Sequence, residues 1–136
     1  MIPFSSQAIR DLSQKLLGQI LPNINSTYLM SDAAMMAMLM NALADEAESG
    51  VANRLADIQE MAILLEEAKN ASMPVPDYQT STEVLTLTAV NQVHDLCTRA
   101  LINVHARVEN DPAQTELNTR IWQYLNRTLE RHALQI

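Results

Sequence analysis

Hydrophobic residues recur along most of this chain at intervals of three and four, the spacing of residues that share one face of an α-helix. The pattern predicts five helices separated by short connections. They span residues 5–21, 31–49, 51–70, 81–109 and 112–134. Pro74 and Pro76 interrupt the pattern, because proline cannot continue a helix, so residues 73–79 are predicted to form a loop.

Start and stop residues set the predicted helix ends. Ser31 is a favourable N-cap for the second helix, and Gly50 is a stop signal between the second and third. Thr80 with Glu83 three places later forms a capping-box pattern before the fourth helix, and Asp111 followed by proline starts the fifth. The prediction is an all-α bundle whose two long C-terminal helices form an antiparallel hairpin.

Composition supports an all-α fold and bounds its size. Hydrophobic residues make up 48% of the chain, but aromatic residues only 4%, and there are two glycines. A sheet protein would contain more β-branched and aromatic residues, and more glycine in its turns. At 136 residues the chain is long enough for one core, so a single domain over residues 1–136 is expected.

Charge and cysteine content exclude some classes of protein. A net charge of −7 disfavours a nucleic-acid-binding protein, which needs basic clusters. The single cysteine cannot form an intramolecular disulfide and the N-terminus has no signal-peptide pattern, so a cytoplasmic location is expected. No stretch approaches the roughly 20 apolar residues of a membrane span, so we expect no membrane embedding.

A methionine-rich run lies in the second predicted helix. Residues 33–43 are apolar nearly all the way round, so this helix should be buried on more than one side. Flexible methionines suit adaptable partner surfaces, although core filling accounts for them equally well. We expect a central helix with one face in a homodimer. Trp122 and Tyr124 on the last helix are candidate aromatic anchors, although we favour a place for Trp122 in the bundle core. The predicted partner interface comprises Met35, Met36, Met38, Met40, Trp122 and Tyr124.

Two acid-x-x-acid pairs suggest a metal-dependent alternative. Asp45 and Glu48 share one face of the second predicted helix, and Asp57 and Glu60 share one face of the third. Facing each other across a groove, they would hold Mg²⁺ with a substrate phosphate completing its shell. Residues 45–60 resemble, with a different acid order and spacing, the all-α nucleotide pyrophosphatases related to MazG, whose carboxylates on adjacent helices bind the metal. Ordinary solvated helix faces show the same pattern.

A basic stripe runs along the last predicted helix. Arg120, Arg127 and Arg131 recur at intervals of seven and four. The stripe is suited to an anionic ligand or an acidic partner surface, and equally to pairing with the acidic second and third helices of the same chain.

The histidines and the cysteine do not predict a site. His94 and His105 share a helix face but lie about 16 Å apart along the axis, so they cannot bind one ion. His132 would join either of them only if packing brought it there. Cys97 follows His94 at the spacing that a thiolate and its base require, but it also continues an apolar stripe, which favours a buried, unreactive thiol.

The sequence therefore favours a non-catalytic helical protein that acts by association. No catalytic nucleophile, glycine-rich phosphate loop, zinc-type Cys/His spacing or redox pair is evident. We expect a homodimer without a cofactor that serves as an accessory or regulatory factor for another protein. The alternatives are a Mg²⁺-dependent hydrolase of nucleotides or phosphate esters, and a bundle that encloses a small apolar or acyl ligand beside the methionines.

Overall fold

The computed structural model describes residues 4–134, which form helices and connections and contain no strand. The four α-helices are α1 (Ser5–Lys15), α2 (Thr27–Asn70), α3 (Leu87–Val108) and α4 (Thr115–Arg131). A π-helical turn (Leu16–Ile20) and a 3₁₀ turn (Leu21–Asn23) separate α1 from α2, and a 3₁₀ turn (Pro112–Gln114) precedes α4. The all-α prediction is confirmed. None of the helices within residues 4–134 has both the length and the apolar character needed to cross a bilayer.

Helix α2 replaces two of the five predicted helices. It continues for 44 residues through Gly50, so the prediction that Gly50 ends a helix is wrong. A glycine ends a helix by adopting a left-handed conformation, and no glycine among residues 4–134 has a positive φ. Within a helix, glycine costs only about 1 kcal/mol relative to alanine, which good helix formers on either side can offset.

Helix α3 begins later than its sequence predicts. Thr86, not Thr80, is the N-cap, and its Oγ1 accepts a hydrogen bond of 3.2 Å from a backbone amide of the first turn. The non-helical segment before it is held to the core by the partly buried Tyr78 and by a 3.3 Å hydrogen bond from Cys97 Sγ to the Gln79 carbonyl. Helix α4 (Thr115–Arg131) is also shorter than the predicted 112–134, so both helices of the predicted C-terminal hairpin are shorter than expected.

The described residues divide into two compact units. The first extends to Gly50 and includes Leu134, and the second is Val51–Ala133. The second unit contains the hydrophobic core, which is formed by α2, α3 and α4. Its largest fully buried apolar side chains are Met61, Leu65, Ile121, Val90, Val104 and Val108. The single domain expected from chain length stays a prediction.

The first unit packs through small side chains. Apart from Gly50, the buried residues among residues 4–50 are Ser6, Ser13, Ala33, Ala37 and Ala44. Ser13 Oγ donates a hydrogen bond of 2.9 Å to the Ala37 carbonyl oxygen, which brings the backbone of α2 close to α1. Larger apolar residues of α1 and the following turn remain in solvent, with Leu12 55% and Ile20 48% exposed. Among residues 4–50 and 134, no large apolar side chain is fully buried.

Candidate functional site

Asp57 is a fully buried carboxylate at the centre of a polar cluster in the second unit. It lies on α2. Its Oδ1 accepts hydrogen bonds from Thr128 Oγ1, at 2.9 Å, and from Arg131, both on α4. Its Oδ2 lies 3.0 Å from His94 Nε2, on α3, and 2.6 Å from His132 Nε2, directly after α4. One carboxylate thus joins three helical segments.

The register of α2 explains why this aspartate is buried. Asp57, Met61, Leu65 and Ala68 follow one another at intervals of three and four, and the last three are fully buried in the core. Asp57 therefore occupies a core position of its helix. A buried charge is strongly unfavourable unless it is paired and hydrogen-bonded, and the cluster supplies those partners.

Hydrogen bonding keeps Asp57 ionised. Burial raises the pKa of the Asp57 carboxyl, but hydrogen bonds from His94, His132, Thr128 and Arg131 outweigh burial and hold the pKa well below its ordinary value. The Asp57 carboxylate is therefore negatively charged at neutral pH.

Tyr124, in the same unit, remains a neutral phenol. Burial and the charge of Asp57 raise the pKa of Tyr124 to about 12. Its hydroxyl therefore keeps its proton at neutral pH and cannot serve as a phenolate base.

Glu60 extends the cluster towards solvent. Its Oε1 accepts a hydrogen bond of 2.5 Å from Arg127 Nε, and its Oε2 accepts one of 2.7 Å from Arg131 Nη2. Burial raises the pKa of Glu60, but the hydrogen bonds from Arg131 and Arg127 lower it below its ordinary value. Arg131 thus bridges Glu60 and Asp57, and the charges of two arginines balance those of two acids.

The four predicted Mg²⁺ ligands are arranged differently from the prediction. Asp45 pairs with Arg10 at 2.6 Å, and Glu48 accepts a hydrogen bond of 3.1 Å from Ser6. Both acidic pairs lie on the one helix α2, so the prediction that they face each other from two adjacent helices is wrong. Each of the four carboxylates has a hydrogen-bonding partner within the chain.

The basic stripe on α4 pairs with α2. Arg120 Nη2 lies 2.6 Å from Glu67 Oε2 in an exposed ion pair, while Arg127 and Arg131 bind the acids described above. All three arginines therefore have acidic partners in their own chain.

The predicted aromatic anchors have different environments. Trp122 is 50% exposed and packs edge-on against His105, with ring centroids 5.3 Å apart. Tyr124 is 4% exposed and belongs to the core, so it does not lie at a partner surface. Cys97 is fully buried and burial raises the pKa of its thiol, so it is not a reactive thiolate.

The predicted methionine interface is largely in solvent. Met35, Met36 and Met38 are 61%, 58% and 49% exposed, and Met40 is partly buried. Met36 also belongs to a regular apolar row on α2, in which Leu29, Met36 and Leu43 recur at intervals of seven. Met40 lies on the same helix face, four residues after Met36. We call Leu29, Met36, Met40 and Leu43 the α2 seam.

A pocket of about 180 Å³ lies beside the Asp57 cluster. His94 and Thr128, which both contact Asp57, form part of its wall, together with His105 and Tyr124. The rest of the wall is mostly aliphatic. A cavity of about 150 Å³ can hold a molecule the size of benzene, so this pocket has room for only a small ligand.

Sequence reasoning identified Asp57 but missed the histidines that contact it. His94 and His132 are brought together by the packing of α3 against α4, which local spacing does not encode. One available signal was the helical register of Asp57, which continues four and eight positions later in Met61 and Leu65. That register marks Asp57 as a buried acid in need of partners.

Comparisons with protein-family models, with curated proteins and with solved structures found no match for this chain.

Proposed function

We propose that this protein acts by association, as a homodimer that pairs the α2 seams of two copies. The observation that supports this most directly is that the first unit buries alanine and serine while most of its described large apolar side chains remain exposed. In the seam, Leu29, Met36 and Leu43 are 53%, 58% and 59% exposed. A second copy would cover these exposed side chains.

The seam has the chemistry of a self-complementary helix surface. Positions 29, 36, 40, 43 and 47 lie on one face of α2 at intervals of seven, four and three, as in the contact row of a coiled coil, and are occupied by leucine, methionine and alanine. Residues 27–44 contain a single charged residue, Asp32. Two copies related by a two-fold axis can therefore pair along the seam with little repulsion between like charges.

The expected affinity is moderate. Full burial of a leucine or methionine side chain is worth roughly 1.5–3 kcal/mol. Leu29, Met36 and Leu43 are about half exposed, so covering these three side chains in each of two copies contributes on the order of 5–9 kcal/mol. Association itself costs about 4–15 kcal/mol, which neighbouring contacts must help to offset. The proposal is therefore a reversible dimer whose population depends on concentration.

The dimer would serve as a cytoplasmic accessory or regulatory factor for another protein. The half-exposed Trp122 supports a contact with such a partner, because aromatic side chains are enriched at interfaces. A Mg²⁺-dependent hydrolase has weaker support, since Asp57 and Glu60 are already bonded to arginines.

Sedimentation equilibrium over a wide concentration range tests this proposal. Wild-type protein should shift from the mass of one chain to that of two as concentration rises. The double variant Met36→Gln, Leu43→Gln should remain monomeric to concentrations at least tenfold higher, since it removes apolar seam contacts worth more than about 1.4 kcal/mol. Glutamine is a good helix former, so α2 itself should be retained.

A matched control uses equally exposed apolar residues of the second unit. Ile63 and Leu129 are 64% and 72% exposed, and Ile63→Gln with Leu129→Gln should leave the dimerisation constant unchanged. A wild-type protein that stays monomeric at all concentrations would refute the proposal, as would equal weakening by both double variants.

A further inference from the structure

We infer that Asp57, His94 and His132 form a binding site for one divalent transition-metal ion. Asp57 Oδ2, His94 Nε2 and His132 Nε2 all lie within 4.8 Å of one another. Both ring nitrogens are directed at the same carboxylate oxygen, at 3.0 and 2.6 Å. A cation with metal–ligand distances of about 2.0–2.2 Å would contact all three atoms once the imidazoles move from hydrogen-bonding distance to the roughly 3.3 Å that separates two ligands of a tetrahedral ion.

A bound ion would replace protons that the two histidines share with Asp57. Without a metal, His94 Nε2 and His132 Nε2 hydrogen-bond to Asp57 Oδ2 at 3.0 and 2.6 Å. A histidine binds a metal through an unprotonated nitrogen, so the ion would take the place of these protons. The remaining proton of His94 would then lie on Nδ1, which is 3.5 Å from Thr98 Oγ1.

The other oxygen of Asp57 is held as the outer oxygen of a metal-binding carboxylate usually is. Thr128 and Arg131 bond to Oδ1, which leaves Oδ2 directed at the two histidines. Arg131 also pairs with Glu60 at 2.7 Å, which compensates its positive charge beside the site. Arg131 therefore divides its positive charge between two carboxylates.

The donor set identifies the class of ion. Two imidazole nitrogens and one carboxylate oxygen suit Zn²⁺, Fe²⁺, Co²⁺ or Ni²⁺, whereas Mg²⁺ and Ca²⁺ prefer oxygen ligands alone. Three protein ligands leave at least one coordination position for water or a small ligand. The side chains of His94 and His132 are 23% and 31% exposed, so an ion can reach the site from solvent.

Metal titration of the chelator-treated 136-residue chain tests the inference. Isothermal titration calorimetry with Zn²⁺ should give one ion per chain, and X-ray absorption at the zinc edge should show two imidazole ligands. Co²⁺, which reports its coordination through visible absorption, should bind at the same stoichiometry and be displaced by Zn²⁺. Mg²⁺ should neither bind in the titration nor displace Co²⁺.

The third histidine provides the matched control. His105 also lies on α3 and lines the same pocket, but it is not part of the cluster. His94→Gln and His132→Gln should each weaken Zn²⁺ binding at least about tenfold, while His105→Gln should bind as the wild type does. Circular dichroism of each variant checks that the helices remain formed.

Several outcomes would overturn the inference. One is a wild-type chain that binds no Zn²⁺ or Co²⁺, and another is a zinc edge without imidazole ligands. Equal weakening in all three variants would place the ion elsewhere, and so would unchanged binding in His94→Gln and His132→Gln. The dimer proposal is independent of these results, because its residues lie in the first unit.

Discussion

His132 Nε2 lies 2.6 Å from Asp57 Oδ2, although the two residues are 75 positions apart in the sequence. Asp57 lies within α2, and His132 immediately follows the last residue of α4. The contact therefore fixes the end of α4 to α2, and His94 adds α3 at the same oxygen. The stability of the second unit should depend strongly on this one carboxylate.

Replacing Asp57 with asparagine should destabilise the protein by about 2–4 kcal/mol, because it leaves buried or half-buried donors around a neutral amide. Urea denaturation followed by circular dichroism measures the loss. Asp95→Asn on the exposed surface of α3 is the control and should change stability by less than about 0.5 kcal/mol. A loss of similar size in both variants would show that the buried cluster has no special role.

Acid should remove the contribution of Asp57. Its pKa is lower in the folded protein than in the unfolded chain, so its stabilising effect is present above the unfolded value of about 4 and is lost as pH falls towards the folded value. Metal-free wild type should therefore lose stability between about pH 5 and pH 3 more steeply than Asp57→Asn. Urea midpoints at several pH values measure this, and parallel curves for the two proteins would contradict the prediction.

Enlarging a small side chain between α1 and α2 should separate these helices. Ala37 is fully buried, and its carbonyl accepts the hydrogen bond from Ser13. Ala37→Leu should lower stability by about 1–3 kcal/mol, since the added atoms have no room. Ala47→Leu, at an exposed position of the same helix, should have little effect on the thermal midpoint. An unchanged midpoint in Ala37→Leu would mean that α1 does not pack closely here.

The sequence was sufficient for the fold class and for some of the helix ends. Asp111 caps the turn before α4 as predicted, with Oδ1 accepting a 3.0 Å hydrogen bond from the Ala113 amide. These features are local, because they depend on residues one or two turns apart. Gly50 and Thr80 were misread for the same reason, since a local stop or start signal is weak and tertiary contacts of the surrounding segment override it.

The apolar pattern did not distinguish buried from exposed faces in the first unit. Leu12 and Ile20 have the helical spacing that is typical of a buried face, yet the packed positions are Ser6 and Ser13. Close contact through small residues leaves no periodic apolar signal. The contacts of His94 and His132 with Asp57 were likewise not predictable, because only tertiary packing brings them together.

The central claim is that two copies meet along the α2 seam, and cysteine cross-linking tests it most directly. Three separate variants place a cysteine in the seam: Leu29→Cys, Met36→Cys and Leu43→Cys. After treatment with a short bismaleimide, at least one of them should yield a covalent dimer of twice the 15.2 kDa chain mass. Cys97 can stay in place, because its thiol is buried. Ile63→Cys, equally exposed in the second unit, should give little dimer. No dimer at any seam position, or as much dimer from Ile63→Cys, would contradict the account.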